Sequence, residues 1–559
     1  MTLAPARSRP RVTLPAPRRS ITWVLVGGWI AQLAVRLWLF RYHAGPVANP
    51  DETGYLIAAR WLAGGPGGDF SGSTFYQGGY PLLLVPAFWV TSDPETAYRL
   101  VVAIGSMAAA SAFPLAYLAL RRLRTGRRPA LLLAFVAGLC PALVEFAGLA
   151  LTDAILPTLV LGWLIALHDL AQGRTAGRSG IVAGALAGYA TAVHMRGTIV
   201  FGVFVVVVAA LLLTHRVPRS AGLKALAVAG TVAVAGLALN RAVSAALYHD
   251  GVRDLSGMLA DRLTSAGGQA WALSGALGQL WYLVTATWGL AGVGMAGATV
   301  VALRRGGLPG PRVLAATLLL TTLGIAYASS AALPDEHRVG NYVYGRYTAC
   351  VAAVWLLAGL VVLLRLRRAA VVRRALAGAG ILVAAGGAAA WYAGDRLTTY
   401  SFIAFDFPEV NFLTRAWQRL DMIAASAAAL SLLACLVAMA LWMPRRARLP
   451  LVAAGVAAVH LAFLADLAPK TAPAAGPGWL PAPPPGRVAL DTRVSWRVWV
   501  PLTYQVSWTA LERYQGAPPA GACTALTPLA AGPPASGWTA TATGSDWVIW
   551  AGPACAAKA

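Results

Sequence analysis

Apolar stretches of 15 to 24 residues recur along most of this 559-residue chain, and short arginine-rich segments separate many of them. A helix rises ~1.5 Å per residue, so about 20 apolar residues cross the ~30 Å hydrocarbon layer of a bilayer. Many such stretches in one chain leave one outlet, a polytopic bundle of membrane helices. Composition agrees: 58% of residues are hydrophobic and 12% are charged, against about a quarter charged in soluble domains.

The formal charge of +24 suggests a nucleic-acid surface until its placement is read. Segments 1–20, 121–128, 169–180, 214–224, 304–312, 365–374 and 444–450 hold 26 of the 45 Lys and Arg residues and a single acid, Asp169. The rest of the chain is close to neutral, so the excess belongs to short loops between apolar runs. That is the positive-inside pattern of a membrane protein, not the basic stripe of a nucleic-acid binder. It puts the N terminus in the cytoplasm.

With the basic loops inside, spans are expected near 21–40, 97–120, 129–148, 154–169, 180–194, 197–214, 223–246, 280–303, 312–333, 347–365, 374–393, 421–443 and 450–467. These thirteen helices put the C terminus outside. The run from Tyr80 to Val90, interrupted by Pro81 and Pro86, is too short to cross and is expected on the outer surface. Residues 269–279 are expected to form an interfacial helix feeding the eighth span. The organisation that follows is a basic cytoplasmic N terminus (1–20), a transmembrane domain (21–468) whose first extracytoplasmic loop is 41–96, a Pro/Gly-rich linker (469–486) and a small extracytoplasmic domain (487–559). In that last domain VALDTRVSWRVWV alternates like a strand. Cys523 and Cys555 are placed to form a disulfide in an oxidising compartment, while Cys140, Cys350 and Cys435 lie in apolar runs without metal-ligand spacing.

Polar residues gather at the outward turns. The first loop carries N-P-D-E-T-G-Y, with Asp51 and Glu52 adjacent. One reading makes them a helix cap; another makes one carboxylate a general base that its neighbour orients. Thr152-Asp153 opens the fourth span and is either a cap or a site acid. Arg196, in His194-Met195-Arg196, lies outside the basic loops, where it either snorkels to headgroups or binds an anion. The turn from Pro334 to Thr348 sets Arg338 and Arg346 among Tyr342, Tyr344 and Tyr347. It is either an aromatic belt or a phosphate site, because guanidinium forks match phosphate oxygens.

The order of these parts resembles the GT-C superfamily of membrane glycosyltransferases, in particular the family of protein O-mannosyltransferases and the aminoarabinose transferase of lipid A (glycosyltransferase family 39-like). The resemblance is carried by Asp51-Glu52 in the first loop, Tyr80-Pro81-Leu82, Ala97-Tyr98-Arg99-Leu100 and Thr152-Asp153, and covers roughly residues 20–470 in layout. It implies an all-α GT-C-like fold and an inverting enzyme that uses a polyprenyl-phosphate sugar as donor. Asp51 takes the role of base, Glu52 stands beside it, and Arg346 or Arg338 holds the donor phosphate. Asp153, Arg196, Tyr342, Tyr344 and Tyr347 complete the expected binding set. Some relatives carry a lysine in the first loop, whereas here the first lysine is Lys224.

The expected function is therefore sugar transfer in the plasma membrane from an undecaprenyl- or decaprenyl-phosphate donor to an extracytoplasmic glycan, lipid or protein. No cofactor motif is present, and a divalent metal is not predicted. A lipid or glycan transporter, or flippase, is the alternative. A scaffold presenting its C-terminal domain to an envelope partner is a third.

Overall fold

The computed structural model describes residues 19–48, 50–173, 175–304, 309–469, 487–505 and 511–553. The N-terminal basic segment up to residue 18 and most of the expected linker lie outside these. The chain is a multi-pass helical membrane protein with a small α/β domain at its C-terminal end.

Nine helices among the described residues are long and apolar enough to cross a bilayer, and two bent pairs bring the count to at most eleven. The thirteen expected spans are therefore not established. The remaining two correspond to Leu156–Ala171, only 16 residues long, and to Ala176–Val193, in which glycine and alanine replace the larger aliphatics. The bends have local causes. Arg127–Gly138 and Pro141–Gly148 meet at 67° where Pro141 interrupts the helix. Ala266–Ala286 and Leu290–Leu303 meet at 112°, where Trp288 and Gly289 both take positive φ. The interfacial helix expected over 269–279 is thus the first half of one continuous helix, Ala266–Ala286, and the turn falls after it.

Three of the basic segments converge at one end of the bundle. Arg122 pairs with Asp169 at 2.7 Å, and Arg365 donates to Leu123 O and Thr125 Oγ1, both at 2.6 Å. The first loop and its two short helices sit at the other end. Helix Asp51–Leu62 begins with two acids, which suit the positive end of the helix dipole. It stops where Gly64 takes φ +91° and Gly65 N donates back to Arg60 O. Helix Gly79–Val90, 12 residues or about 18 Å, packs on it with Tyr80 against Tyr55. Its start is also held by Tyr189, whose hydroxyl donates to Gly79 O at 2.7 Å. Asp93 caps the next helix, Pro94–Ala110, by accepting from Thr96 N at 2.8 Å.

The C-terminal domain is a five-stranded sheet in the order β2-β1-β3-β5-β4, formed by Arg487–Asp491 (β1), Leu511–Tyr514 (β2), Ala522–Pro528 (β3), Thr539–Thr543 (β4) and Trp547–Ala551 (β5). β1 runs parallel to both its neighbours; β5 is antiparallel to β3 and β4. The strand expected over VALDTRVSWRVWV covers only its first part, and Trp496–Gln505 is a helix. Val494, Val498 and Leu502 recur every four residues, so that segment buries a helical stripe in the domain core. Cys523 is disulfide-bonded, while its expected partner, Cys555, lies outside the described residues.

Candidate active site

Helix Asp51–Leu62 presents Asp51 at its first position rather than as its cap, which is Pro50. The side chain points across the bundle. Arg346 Nη1 donates to Asp51 Oδ2 at 2.8 Å, and the Tyr76 hydroxyl approaches Oδ1 at 3.2 Å. Tyr76 reaches this place because residue 54 is glycine: a Cβ there would stand 2.1 Å from the tyrosine ring.

Arg346 also grips a second acid, donating from Nε to Asp153 Oδ2 at 3.0 Å. The other oxygen of Asp153 lies 2.8 Å from Arg196 Nη2. Four candidates separated in sequence thus form one alternating row, Asp51, Arg346, Asp153, Arg196. Three of the side chains are buried, whereas Asp51 is 37% exposed, so the row opens toward solvent at Asp51. Burial disfavours the charged form of Asp153, but Arg196 and then Arg346 overcome it and hold the carboxyl well below its usual range. His194 accepts from Arg196 N at 3.0 Å, and burial followed by the nearby guanidinium keeps its ring neutral. The tight turn that aims Arg196 needs Gly197, where a Cβ would meet Ala190 O at 1.8 Å.

Glu52 has a different setting. It is fully buried and accepts four hydrogen bonds: from Val47 N (2.7 Å) and Ala48 N (2.8 Å) on Oε1, and from the Tyr98 hydroxyl (2.6 Å) and Ala150 N (2.7 Å) on Oε2. No lone pair is left for a substrate, and the carboxylate ties the first loop to helix Pro94–Ala110 and to the Ala150 turn.

The Pro334–Thr348 turn divides. Tyr344 accepts from Arg346 Nη1 at 3.3 Å and packs edge-on against Tyr347, whose ring lies under Arg196. Arg338 stands beside Tyr344 but pairs with Glu336 at 3.2 Å and approaches Asp406 Oδ2 at 3.9 Å. Tyr342 belongs elsewhere, against Trp271, Tyr392, Tyr400 and Arg396.

Two acids absent from the sequence-based set line a small cavity behind Arg346 together with Phe146 and Tyr282. Asp406 is 6% exposed, its Oδ2 makes no hydrogen bond among the described residues, and burial raises its pKa to about 6 against the pull of Arg338. Glu409 accepts from the Tyr282 hydroxyl at 2.7 Å, and burial pushes its carboxyl up as well. The segment S-F-I-A-F-D-F-P-E-V-N-F carries their only sequence signal, two acids in an otherwise aromatic and apolar run. Among the described residues, no group of three or more His, Cys, Asp or Glu side chains is arranged to hold a metal.

Neither a protein-family model nor a curated protein matches the chain by sequence. Solved structures do match it. ArnT from Cupriavidus metallidurans bound to undecaprenyl phosphate superposes with a TM-score of 0.51 over 95% of this chain and 98% of that one, at 16% identity. The apo state of the same protein gives 0.50, 17% identity and coverages of 96% and 99%. The chain has the fold of ArnT. Arabinosyltransferase EmbB from Mycobacterium smegmatis aligns with 82% of this chain and 41% of its own, at 16% identity and a TM-score of 0.41. The likeness to ArnT extends over most of the C-terminal domain too, so the shared fold is not confined to the membrane bundle.

Proposed function

We propose that this protein is a glycosyltransferase that moves a sugar from a polyprenyl-phosphate donor to an acceptor on the extracytoplasmic face of the membrane. The observation that carries the reading is the row Asp51, Arg346, Asp153, Arg196 at the bundle end opposite the converging basic loops. The fold shared with ArnT, solved with undecaprenyl phosphate bound, supports the class of donor. Basic loops favour the cytoplasm, which sets the row on the outer side.

In this reading Asp51 accepts the proton of an acceptor hydroxyl or amine as that group attacks the anomeric carbon. The bond from that carbon to the phosphate oxygen breaks, and the polyprenyl phosphate leaves with the electron pair. Configuration inverts. Arg346 stabilises the charge that develops on the phosphate, with Arg338 close by. Asp153 and Arg196 hold Arg346 in place, and Glu52 is a positioning residue for the loop that carries Asp51.

The resting ion pair adds a step. In the resting site Arg346 occupies one carboxylate oxygen of Asp51 at 2.8 Å. A phosphate that takes over Arg346 releases Asp51 when the donor is in place, so donor binding precedes activation of the acceptor. The donor's chain fits the groove of about 640 Å³ that follows helix Leu156–Ala171 from Ile155 to Asp169, floored by Gly162 and flanked by Leu83, Leu115 and Leu186.

The test is mass spectrometry of envelope glycans and polyprenyl-phosphate sugars from cells carrying wild type or Asp51→Asn. An unmodified acceptor and an accumulating donor are expected in the variant. Full modification by Asp51→Asn rules the mechanism out, and substrate flux in purified vesicles without covalent product favours a transporter instead.

A further inference from the structure

The helix that carries Asp51 ends on a charge with no acidic partner among the described residues. Arg60, 1% exposed, closes the last turn of Asp51–Leu62 and among the described residues donates only to main-chain carbonyls: to Pro66 O at 2.8 Å, to Gly67 O at 3.1 Å and to Thr503 O at 3.4 Å. Thr503 belongs to the C-terminal domain, 443 residues away in sequence. A guanidinium buried on carbonyls alone is costly unless each bond is made, so the helix end and the domain are held by the same group.

The domain touches the first loop at three more places. Trp499 packs on Phe70 with ring centroids 6.1 Å apart, Thr503 Cγ2 would meet a Cβ on Gly68 at 3.1 Å, and Arg513 pairs with Asp69 at 3.3 Å. It also reaches the neighbouring helix. The Tyr504 hydroxyl donates to Pro94 O at 2.5 Å, at the start of Pro94–Ala110, and one turn along that helix Tyr98 holds Glu52. Helix Asp51–Leu62 is therefore fixed at both ends, by Glu52 beside Asp51 and by Arg60 about 12 Å further along. The same domain helix, Trp496–Gln505, bears on both anchors.

We propose that the C-terminal domain is a clamp that positions Asp51, acting through Arg60 directly and through Tyr504, Pro94, Tyr98 and Glu52 indirectly. The inference rests on the glycosyltransferase reading for its consequence but not for its geometry. It assigns the domain a positioning role in transfer rather than a share in the chemistry. Arg60 and Tyr504 are positioning residues, since neither touches the Asp51, Arg346, Asp153 row.

The experiment uses the full chain in membranes and three readouts: hydrogen exchange over residues 51–62, binding of undecaprenyl phosphate, and transfer judged by envelope-glycan mass spectrometry. Arg60→Met is expected to speed exchange over 51–62 and to lower transfer about 10- to 100-fold, as a small displacement of a reacting group does, while undecaprenyl phosphate binding stays within twofold of wild type. Arg60→Lys, which keeps a donor, is expected to recover part of the transfer. If Arg60→Met does not accumulate, Tyr504→Phe carries the same test with a smaller expected loss.

Unchanged exchange over 51–62 in a folded Arg60→Met protein overturns the clamp whatever happens to transfer. Wild-type transfer alongside faster exchange overturns the positioning role. A Gly68→Cys, Thr503→Cys pair supplies the converse: cross-linked protein is expected to remain active, and activity that returns only on reduction means the domain must lift, which is incompatible with a clamp. If wild type itself transfers no sugar, the functional reading fails, and the exchange measurement still decides whether the domain holds the helix.

Discussion

Arg346 Nη1 lies 2.8 Å from Asp51 Oδ2 although 295 residues separate the two in sequence. The pair joins the first loop to the turn before the 349–365 helix. Its partners on the far side, Asp153 and Arg196, are nearly inaccessible, so a ligand enters from the Asp51 side alone.

That asymmetry gives the first prediction. Asp51→Asn removes the base and also frees one arm of Arg346. Transfer is expected to fall at least 100-fold, in the range general-base catalysis supplies. Binding of undecaprenyl phosphate is expected to tighten by about three- to tenfold, a modest gain of the size that one partly exposed ion pair represents. Titration of the purified variant with undecaprenyl phosphate decides it; weaker binding means that Asp51 does not compete with the phosphate.

Arg346 is expected to tolerate no neutral replacement. Arg346→Met leaves Asp153 with Arg196 alone and strands a buried carboxylate oxygen, and breaking a buried pair in this way costs about 3 to 5 kcal/mol. Arg346→Lys keeps the charge but cannot reach Asp51 and Asp153 with two separate nitrogens. A thermal shift in detergent should therefore rank wild type above Lys and Lys above Met. Equal melting temperatures for all three would contradict the alternating row.

The general architecture was legible because it follows from two bulk properties, apolar length and the placement of arginines. Local backbone events were not. The 112° turn at Trp288 and Gly289 lies inside a run that is apolar on both sides of it, so length alone suggested an interfacial helix and a span. Asp51, Asp153, Arg196 and Arg346 stood out because each is a charge at the edge of an apolar segment. Their mutual pairing is a tertiary fact that no local pattern encodes. Glu52 looked like a twin of Asp51, yet one helical step turns it about 100° away, into the cluster of donors from Val47, Ala48, Tyr98 and Ala150. Asp406 and Glu409 escaped notice because they match no spacing of catalytic acids and sit in an otherwise aromatic and apolar run.

Glu52→Gln tests the separation of roles between the adjacent acids. An amide has one acceptor oxygen, so its NH2 group must face either the Val47 and Ala48 N–H donors or the Tyr98 hydroxyl and Ala150 N–H. At least one buried hydrogen bond is lost, because the Tyr98 hydroxyl can turn to accept from the amide whereas a backbone N–H cannot, and each stranded donor costs about 1 to 3 kcal/mol. The expected result is a less stable protein with faster hydrogen exchange in 41–52. In whatever fraction remains folded, affinity for undecaprenyl phosphate should match wild type. A stable Glu52→Gln protein whose only defect is transfer points to direct catalysis by Glu52 instead.

Asp406 should make stability depend on pH. Its pKa rises from an ordinary 3.8 to about 6 in the folded protein, because burial disfavours the charge more than Arg338 favours it. The folded state thus binds this proton more tightly than the unfolded state does. Below the unfolded value both states are protonated and the group contributes no difference. As pH climbs from about 4 to 6 the unfolded state ionises first, and wild type loses stability on the order of 2 kcal/mol from this group. Above 6 the loss is complete and constant. Asp406→Asn keeps the shape without the titration, so its melting temperature should lie close to wild type at pH 4 and above it at pH 7.5. Parallel stability curves for the two proteins across that interval would show that the folded structure leaves Asp406 free to ionise, and its place behind Arg346 would then be that of a third paired carboxylate.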